Sequence, residues 1–334
     1  MTRGDRILVT GASGFIGSFI VEEALRRGME VWAAVRPTSS RQYLKDERIK
    51  FMELNLGRQE ELEKELRGKA FDYVVHTAGV TKSVDARDFR RINAQGTIHL
   101  VNALRAVGTP LKRFVYMSSL SVFGPVREEQ PYEDIRPDDT PQPNTAYGRS
   151  KLESELYLAS LEDFPYIVLR PTGVYGPREK DYYLMAKSIS RHVDFAAGLK
   201  PQEITFVYVR DVVQAVMLAL ERGKTGGKYF ISDGGVYDSR TFSDLIRHEL
   251  GDPWVLRLKS PLWLLRIITF IGEYAGRARG TLTALNNDKY NILRQRNWRC
   301  DITAAREELG YAPEYDLGRG VGETIRWYKD NGWL

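Results

Sequence analysis

The sequence predicts an α/β fold: a doubly wound parallel sheet with a smaller α/β part interleaved toward the C-terminus. Three observations predict it. An apolar run, Ile7-Leu8-Val9, passes directly into Thr10-Gly11-Ala12-Ser13-Gly14-Phe15-Ile16-Gly17, a glycine turn that opens an amphipathic helix. That unit begins a long alternation of strand-like and helix-like runs. The fourth strand-like run ends in Thr77-Ala78-Gly79, small residues that leave room for a ligand in the crevice at a parallel sheet's C-terminal edge.

The elements follow in order. In the first turn, Gly11 permits the bend and Gly14 lets backbone N–H groups approach a pyrophosphate at the helix N-terminus. Gly17 lets the helix pack closely on the strand. The spacing G-x-x-G-x-x-G differs by one residue from the dehydrogenase form, and its context of strand, turn and helix is the one a dinucleotide site requires. Phe15, Ile16, Phe19, Ile20, Ala24 and Leu25 form the helix's apolar stripe, and Gly28 closes it. Glu30–Val35 reads as the second strand and ends at Arg36. An acidic residue there would bind a ribose 2′-hydroxyl and exclude a 2′-phosphate. Arg36, followed by Ser39, Ser40 and Arg41, suits that phosphate instead, which tilts the expected cofactor from NAD toward NADP. An arginine can also stack on adenine in an NAD enzyme, so both stay open.

A strand at Ile49–Leu54 leads into Asn55-Leu56, placed where an adenine could lie, and the charged helix through Glu60–Leu66 reads as an outer face. Phe71–His76 is the fourth strand; His76 sits in an apolar run without an acidic neighbour and reads as a packed strand-end histidine. A helix from Phe89 to Val107 carries Asn93, Gly96 and Thr97, and the fifth strand, Arg113–Met117, delivers Ser118-Ser119-Leu120-Ser121. A proline-rich loop then reaches Tyr147-Gly148-Arg149-Ser150-Lys151 at the start of a helix running to about Leu161. Tyr147 and Lys151, at i and i+4, share one face. A buried ammonium beside a phenol is expected to lower the phenol's pKa, which tunes Tyr147 to exchange a proton with a substrate hydroxyl while hydride moves to or from a nicotinamide. A serine from the fifth strand can polarise the same oxygen.

Here the chain resembles the extended short-chain dehydrogenase/reductases, the NAD(P)-dependent epimerase/dehydratase family. The matching pieces are Gly11–Gly17, His76–Gly79, Asn93–Thr97, Met117–Gly124, Tyr147–Lys151, Leu169-Arg-Pro-Thr-Gly-Val-Tyr-Gly-Pro177, Val207–Val212 and the segment Asp301–Trp333. The resemblance implies a Rossmann-like sheet and an enzyme whose catalytic group is Ser119, Tyr147 and Lys151. It places Phe15, Ile16, Asn93 and Ser118 beside the cofactor with the residues above, gives Lys151 the nicotinamide ribose, and puts Pro171 and Val174 along the nicotinamide pocket. It implies a nucleotide-binding domain over 1–175, with segments around 204–232 returning to it, and a mainly substrate-binding part over 176–334. That second part reads as helix Tyr182–Ser190, strand Ile204–Val207, helix Val212–Glu221, strand Lys228–Ile231 and several terminal helices. No metal site is expected. Members of the family often form homodimers through helices around 86–107 and 145–162.

The motifs leave the substrate open. Dehydratases of the family carry an Asp-Glu pair where this chain has Leu120 and Ser121, so dehydration lacks its acid. Nucleotide-sugar epimerases usually have Asn in place of Gly173 and a Gln-x-Arg clamp, where this chain offers Gln202-Glu203-Ile204; Arg178 or Arg210 could compensate. A simple ketone/secondary-alcohol oxidoreductase is the favoured expectation. It is similar to the 3β-hydroxysteroid dehydrogenase and dihydroflavonol reductase branches, with a bulky sterol-like or flavonoid-like substrate. A tightly NAD-bound nucleotide-sugar epimerase is the alternative, and a non-catalytic NAD(P)-sensing protein is disfavoured by the intact Tyr147 and Lys151.

Composition bounds the partners. Net charge is +5, but 49 Lys+Arg and 44 Asp+Glu are interspersed without a basic tail, so no nucleic-acid partner is expected. The single cysteine, Cys300, excludes an intrachain disulfide and fits a reducing compartment. The chain enters its first strand within ten residues, so we expect no signal peptide and a cytoplasmic protein. The most apolar segment, 261–272, is interrupted by Arg266 and is shorter than the roughly 20 residues a spanning helix needs. With Arg257, Lys259, Arg266, Arg277 and Arg279 it leaves a peripheral membrane contact through 254–279 as one expectation, beside a wall for an apolar substrate or a packed helix.

Overall fold

The computed structural model describes Met1, residues 4–267, Thr269 and residues 287–334. Seven parallel strands form the main sheet: β1 (Arg6–Thr10), β2 (Glu30–Val35), β3 (Lys50–Glu53), β4 (Tyr73–His76), β5 (Arg113–Met117), β6 (Tyr166–Pro171) and β11 (Lys228–Ile231). Their order is β11-β6-β5-β4-β1-β2-β3, so the winding reverses beside β1. The central strands β1, β4, β5 and β6 are buried on both faces, as a parallel sheet covered by helices requires. Side-chain alternation divides the core in two. Ile7 and Val9 pack with α1 (Phe15–Arg26) and α7 (Val209–Arg222), whereas Leu8 faces α2 (Gln59–Leu66), α4 (Gly96–Ala106) and α5 (Ala146–Ala159). Strands β1, β2, β4 and β5 thus deliver their C-terminal ends to one edge, where loops can converge on a ligand.

Two elements differ from the sequence expectation for identifiable reasons. The helix expected from Phe89 starts earlier, as a short α3 (Ala86–Asp88), then widens into a π-helical turn over Phe89–Gln95 before α4. The wide turn accompanies an inward Asn93, which exchanges hydrogen bonds with the Val80 backbone. The strand expected at Ile204–Val207 is split at Thr205, whose hydroxyl donates to the Trp298 carbonyl at 2.6 Å. The split sends β9 (Glu203–Ile204) to β12 (Tyr237–Asp238) and β14 (Asn297–Trp298), and β10 (Phe206–Tyr208) to β7 (Gly173–Tyr175).

The remaining pair, β8 (Val193–Ala197) and β13 (Leu256–Ser260), is parallel and faces the opposite way in polarity. Asp194 is buried and bonds Arg240 at 2.5 Å, with Arg257 and Ser243 beside it next to α8 (Thr241–Glu249). On the other face Phe195, Leu256 and Leu258 stay exposed. Residues 262–267 are helical, with Trp263, Leu264 and Ile267 exposed and Leu265 buried; the rest of the apolar segment, with Arg277 and Arg279, lies outside the described residues. Among the described residues no helix is long and apolar enough to cross a membrane. Cys300 is buried as a free thiol.

Candidate functional site

The glycine turn after β1 is constrained by its neighbours. Gly11 has φ +69°, and a Cβ on it would lie 2.7 Å from the Ala78 backbone nitrogen. A Cβ on Gly17 would lie 2.2 Å from the Gly11 carbonyl oxygen, so this helix position admits only glycine without a backbone shift. Gly14 caps α1, and its own N–H donates to Gly11 at 2.9 Å. The groups left to meet an anion are therefore the following N–H groups of the first helical turn, at Phe15 and Ile16.

From this turn a cleft of about 1050 Å³ runs across the ends of β1 to β4. Of the expected cofactor residues, Gly11, Gly14, Arg36, Asn55, Leu56, Thr77, Ala78 and Gly79 line it. Arg36 is exposed at its lip; its backbone is clasped by Ser39, while no hydrogen bond or ion pair among the described residues engages its guanidinium. Arg41 instead lies over the Phe51 ring at 4.2 Å. Asn55 is held in a turn by accepting from Gly57 N–H and donating to Glu61. Phe15, Ile16, Gly17, Asn93, Ser118, Ser119, Tyr147, Lys151, Pro171 and Val174 are not in that lining.

The reacting end adjoins the cleft at Gly79, where a Cβ would stand 3.5 Å from Lys151 Nζ. Thr145 caps α5 by accepting from Gly148 N–H at 2.9 Å, and a Cβ on Gly148 would be 2.3 Å from the Ser121 carbonyl. This close approach brings the first turn of α5, with Tyr147, against the serines that follow β5. Lys151 is buried, donates to the Met117 carbonyl at 2.8 Å and lies 5.9 Å from the Tyr147 ring centre.

The expected electrostatics need correcting. Exclusion of water pushes the Tyr147 phenol up to about 12, and the hydrogen bond with Ser119 is what pulls it back down. Burial likewise pushes Lys151 down to about 8, with Glu155 opposing that shift. What opposes burial at Tyr147 comes from Ser119, while the Lys151 ammonium donates to the Met117 carbonyl.

Other predicted residues brace this end. Asn93 spends its amide on the Val80 carbonyl and Ser150 Oγ, both at 3.0 Å, tying the loop after β4 to α5. Ser118 donates to Glu155 Oε1 at 2.5 Å, so its hydroxyl is engaged below the edge. Pro171 ends β6 opposite Ile231 of β11, and Val174 lies in β7 opposite Val207. His76 is fully buried between Thr10 Oγ1 (2.6 Å) and Thr97 Oγ1 (2.9 Å). Thr97 donates to Asn93, so it accepts from His76 Nε2, and Thr10 donates to Nδ1. Burial drives this histidine down to about 3, which keeps the ring neutral and makes it a clamp between β1, β4 and α4.

Sequence reasoning missed three participants. Glu155 and Arg170 form a buried bidentate pair at 3.1 and 2.6 Å; the i+4 spacing of Glu155 from Lys151 was the available signal. Asp288 accepts from Ala146 and Tyr147 N–H at 2.8 and 3.3 Å, a contact across 141 residues that no local pattern announces. Beyond β6, a Cβ on Gly173 would lie 2.7 Å from the Tyr182 hydroxyl, and Tyr182 stacks on the buried Phe242 at 4.6 Å, within the core. Arg178 and Arg210, the possible diphosphate ligands, are engaged elsewhere: Arg178 by Ser18 and Glu22 of α1, Arg210 by Glu323. Gln202 is buried and donates to the Gln295 carbonyl. Among the described residues no cluster of side chains suits a metal ion.

Known proteins match this arrangement along its whole length. The chain is 25% identical to the UDP-glucose 4-epimerase of Vibrio cholerae, covering 98% of both chains. It is 26% identical to a dTDP-glucose 4,6-dehydratase of Streptomyces antibioticus, covering 97% of this chain and 92% of that one. Its fold superimposes with a TM-score of 0.79 on the dTDP-glucose 4,6-dehydratase of Streptomyces venezuelae, solved with NAD bound, at 24% identity and 98% coverage of both. The UDP-glucose 4-epimerase of Thermotoga maritima, solved with UDP-glucose, gives 0.78 at 23% identity, covering 98% of this chain and 99% of that one. A family model matches residues 7–232, and with it the chain belongs to the NAD dependent epimerase/dehydratase family, a family of enzymes.

Proposed function

We propose that the protein is a nicotinamide-dinucleotide-dependent oxidoreductase that interconverts a secondary alcohol and a ketone on a bulky small molecule. The observation that carries this is the convergence of Ser119, Tyr147 and Lys151 beside Gly79, at the end of the glycine-lined cleft. The residues suit such a cofactor, because Gly11, Gly14, Thr77, Ala78 and Gly79 line the cleft, and Cβ atoms at Gly11 and Gly17 would collide with the backbone that shapes its turn. The first-turn N–H groups of α1 would hold its pyrophosphate, Asn55 and Leu56 its adenine, Lys151 its nicotinamide ribose, and Pro171 and Val174 would wall its ring. The free Arg36 guanidinium supports NADP over NAD. When bound, the cofactor supplies hydride transfer.

The chain's own residues handle the proton. Burial pushes the Tyr147 phenol up, so it is protonated at neutral pH and can give its proton to a substrate oxygen when a ketone is reduced. Ser119 polarises that oxygen and steadies the phenolate that remains. The buried Leu120, in place of an acid, disfavours expulsion of a hydroxyl. The engagement of Arg178 and Arg210 elsewhere favours an apolar substrate over a diphosphate-bearing one. A second reading, a nucleotide-sugar epimerase, is favoured by the full-length similarity to proteins of that name. Its first step asks the same of Tyr147.

Fluorescence titration with NADPH and NADH, followed by nicotinamide absorbance with sterol-like ketones and UDP- or dTDP-sugars, decides between them. Net oxidation by a ketone supports the first reading; sugar interconversion without net absorbance change replaces it with the second. Binding of neither nucleotide overturns both. Tyr147→Phe is expected to lower turnover by about 10²-fold or more while nucleotide affinity stays within about twofold. We also propose a homodimer through the helices around Phe89–Ala106 and α5, supported by the exposed Leu156 on α5; sedimentation of Leu156→Glu as a monomer checks it.

A further inference from the structure

Exposed large apolar side chains are concentrated on one part of the molecule. Of the twelve exposed among the described residues, eight lie within 195–199 and 254–267. Strand pairing makes them neighbours. Trp254, Leu256 and Leu258 are two residues apart, which places them on one face of β13 and of the chain leading into it, and Leu258 is in register with Phe195 of β8. Trp254 lies flat against His192 at 4.6 Å, so the row begins at the N-terminal end of β8. At the other end Gly198 N–H donates to the Ser260 carbonyl at 2.8 Å, which sets Leu199 beside the helical residues 262–267 and their exposed Trp263 and Ile267. Trp254 is 71%, Leu199 67% and Trp263 66% exposed, and a continuous apolar face of this kind marks a docking surface.

The charges around this row select its occupant. Arg191 precedes His192 at one end, Lys200 follows Leu199 and Arg266 precedes Ile267 at the other, and Lys259 lies between them on β13. All four are exposed, and no hydrogen bond or ion pair among the described residues engages their side chains. The one acid within 191–200 and 254–267 is Asp194, buried on the opposite face of β8 against Arg240. A second copy docked face to face would set these cations against themselves. An anionic bilayer accepts both features: apolar and aromatic side chains enter the headgroup boundary while lysine and arginine meet lipid phosphates. We propose that the β8–β13 face, with residues 262–267, docks peripherally on an anionic lipid surface. This is independent of the chemistry at Tyr147.

The test is flotation of the full chain with phosphatidylcholine vesicles made with and without phosphatidylglycerol. The chain is expected to bind the anionic vesicles at least about tenfold more tightly than phosphatidylcholine alone, and to detach as salt is raised. Trp254→Ser/Trp263→Ser and Lys200→Gln/Lys259→Gln/Arg266→Gln should each weaken binding to the anionic vesicles about tenfold or more. These side chains are exposed, so the urea midpoints of both variants should match wild type. A second measurement needs no loss of binding: brominated lipid in the anionic vesicles should quench the wild-type tryptophan fluorescence, and Trp254→Phe/Trp263→Phe should remove that quenching. No flotation by the wild-type chain, or flotation and quenching that the variants retain, overturns the proposal. So does a concentration-dependent dimer, seen by sedimentation without vesicles, that Trp254→Ser/Trp263→Ser dissolves, since the face then belongs to a second copy.

Discussion

The end of the parallel sheet and the β8–β13 pair solve the burial of charge in opposite ways. At the sheet end, β1 and β4 are apolar up to Thr10 and His76, and the buried ionic groups, Lys151 and Glu155 of α5 and Arg170 of β6, are each bound to named partners. In β8–β13 an ionic residue is turned inward, with Asp194 buried against Arg240 and Ser243 and the exposed Arg257 at its edge, while Phe195, Leu256 and Leu258 on the other face are exposed. Alternating residues therefore establish which side chains share a face, but not which face meets the protein. A cluster of bonds at a single carboxylate decides that in β8–β13.

That comparison can be broken by substitution. Asp194→Ala strands Arg240, while Arg257 keeps Asp244, and is expected to cost about 3 kcal/mol in a urea midpoint measurement. A near-neutral result would show that the inward ion pairs do not hold the pair in place. Next comes Gly17→Ala, whose new Cβ meets a backbone oxygen at 2.2 Å. It should cost about 1–3 kcal/mol and weaken NADPH binding at least tenfold, since the turn must open to admit it. Retained affinity in fluorescence titration would mean the turn is not the phosphate cradle.

His76 sharpens the contrast by pH. Its folded pKa of about 3 lies below its ordinary value of 6.5, so its contribution is fully present above about 6.5 and is lost as pH falls toward about 3. Wild type should lose on the order of 2–4 kcal/mol more than His76→Gln between those limits. Parallel stability curves in denaturant would remove this role. The smallest effect is expected at Leu256→Ser: its side chain is 55% exposed, and stability should stay within about 0.5 kcal/mol of wild type. A larger loss would show that the outward apolar face is packed after all.

Much of the cofactor side was legible because local rules govern it. A glycine turn needs positive φ and close approach within a few residues, and Gly11 and Gly17 show both constraints. The boundaries of β2 and β5 coincide with their apolar runs, since strands buried on both faces admit no polar interior. The pairing of Tyr147 and Lys151 on one face follows from helical geometry alone. The break at Thr205 was not legible, because it depends on a carbonyl 93 residues away. Nor was the turn of Ser118 toward Glu155, or the docking of Asp288 on the start of α5.

By itself, then, the sequence determined the run of main-sheet strands with the helices between them, the glycine turn and the pairing of Tyr147 with Lys151 on one helical face, because each depends on spacing within one or two turns of chain. Only the tertiary structure decided which of those groups face one another and what their protons do. Desolvation and hydrogen bonding are sums over neighbours that the fold assembles from distant segments. That is why Tyr147 is held near 12 with Ser119 as the group that lowers it, and why Lys151 lies against a strand carbonyl with Glu155 beneath it.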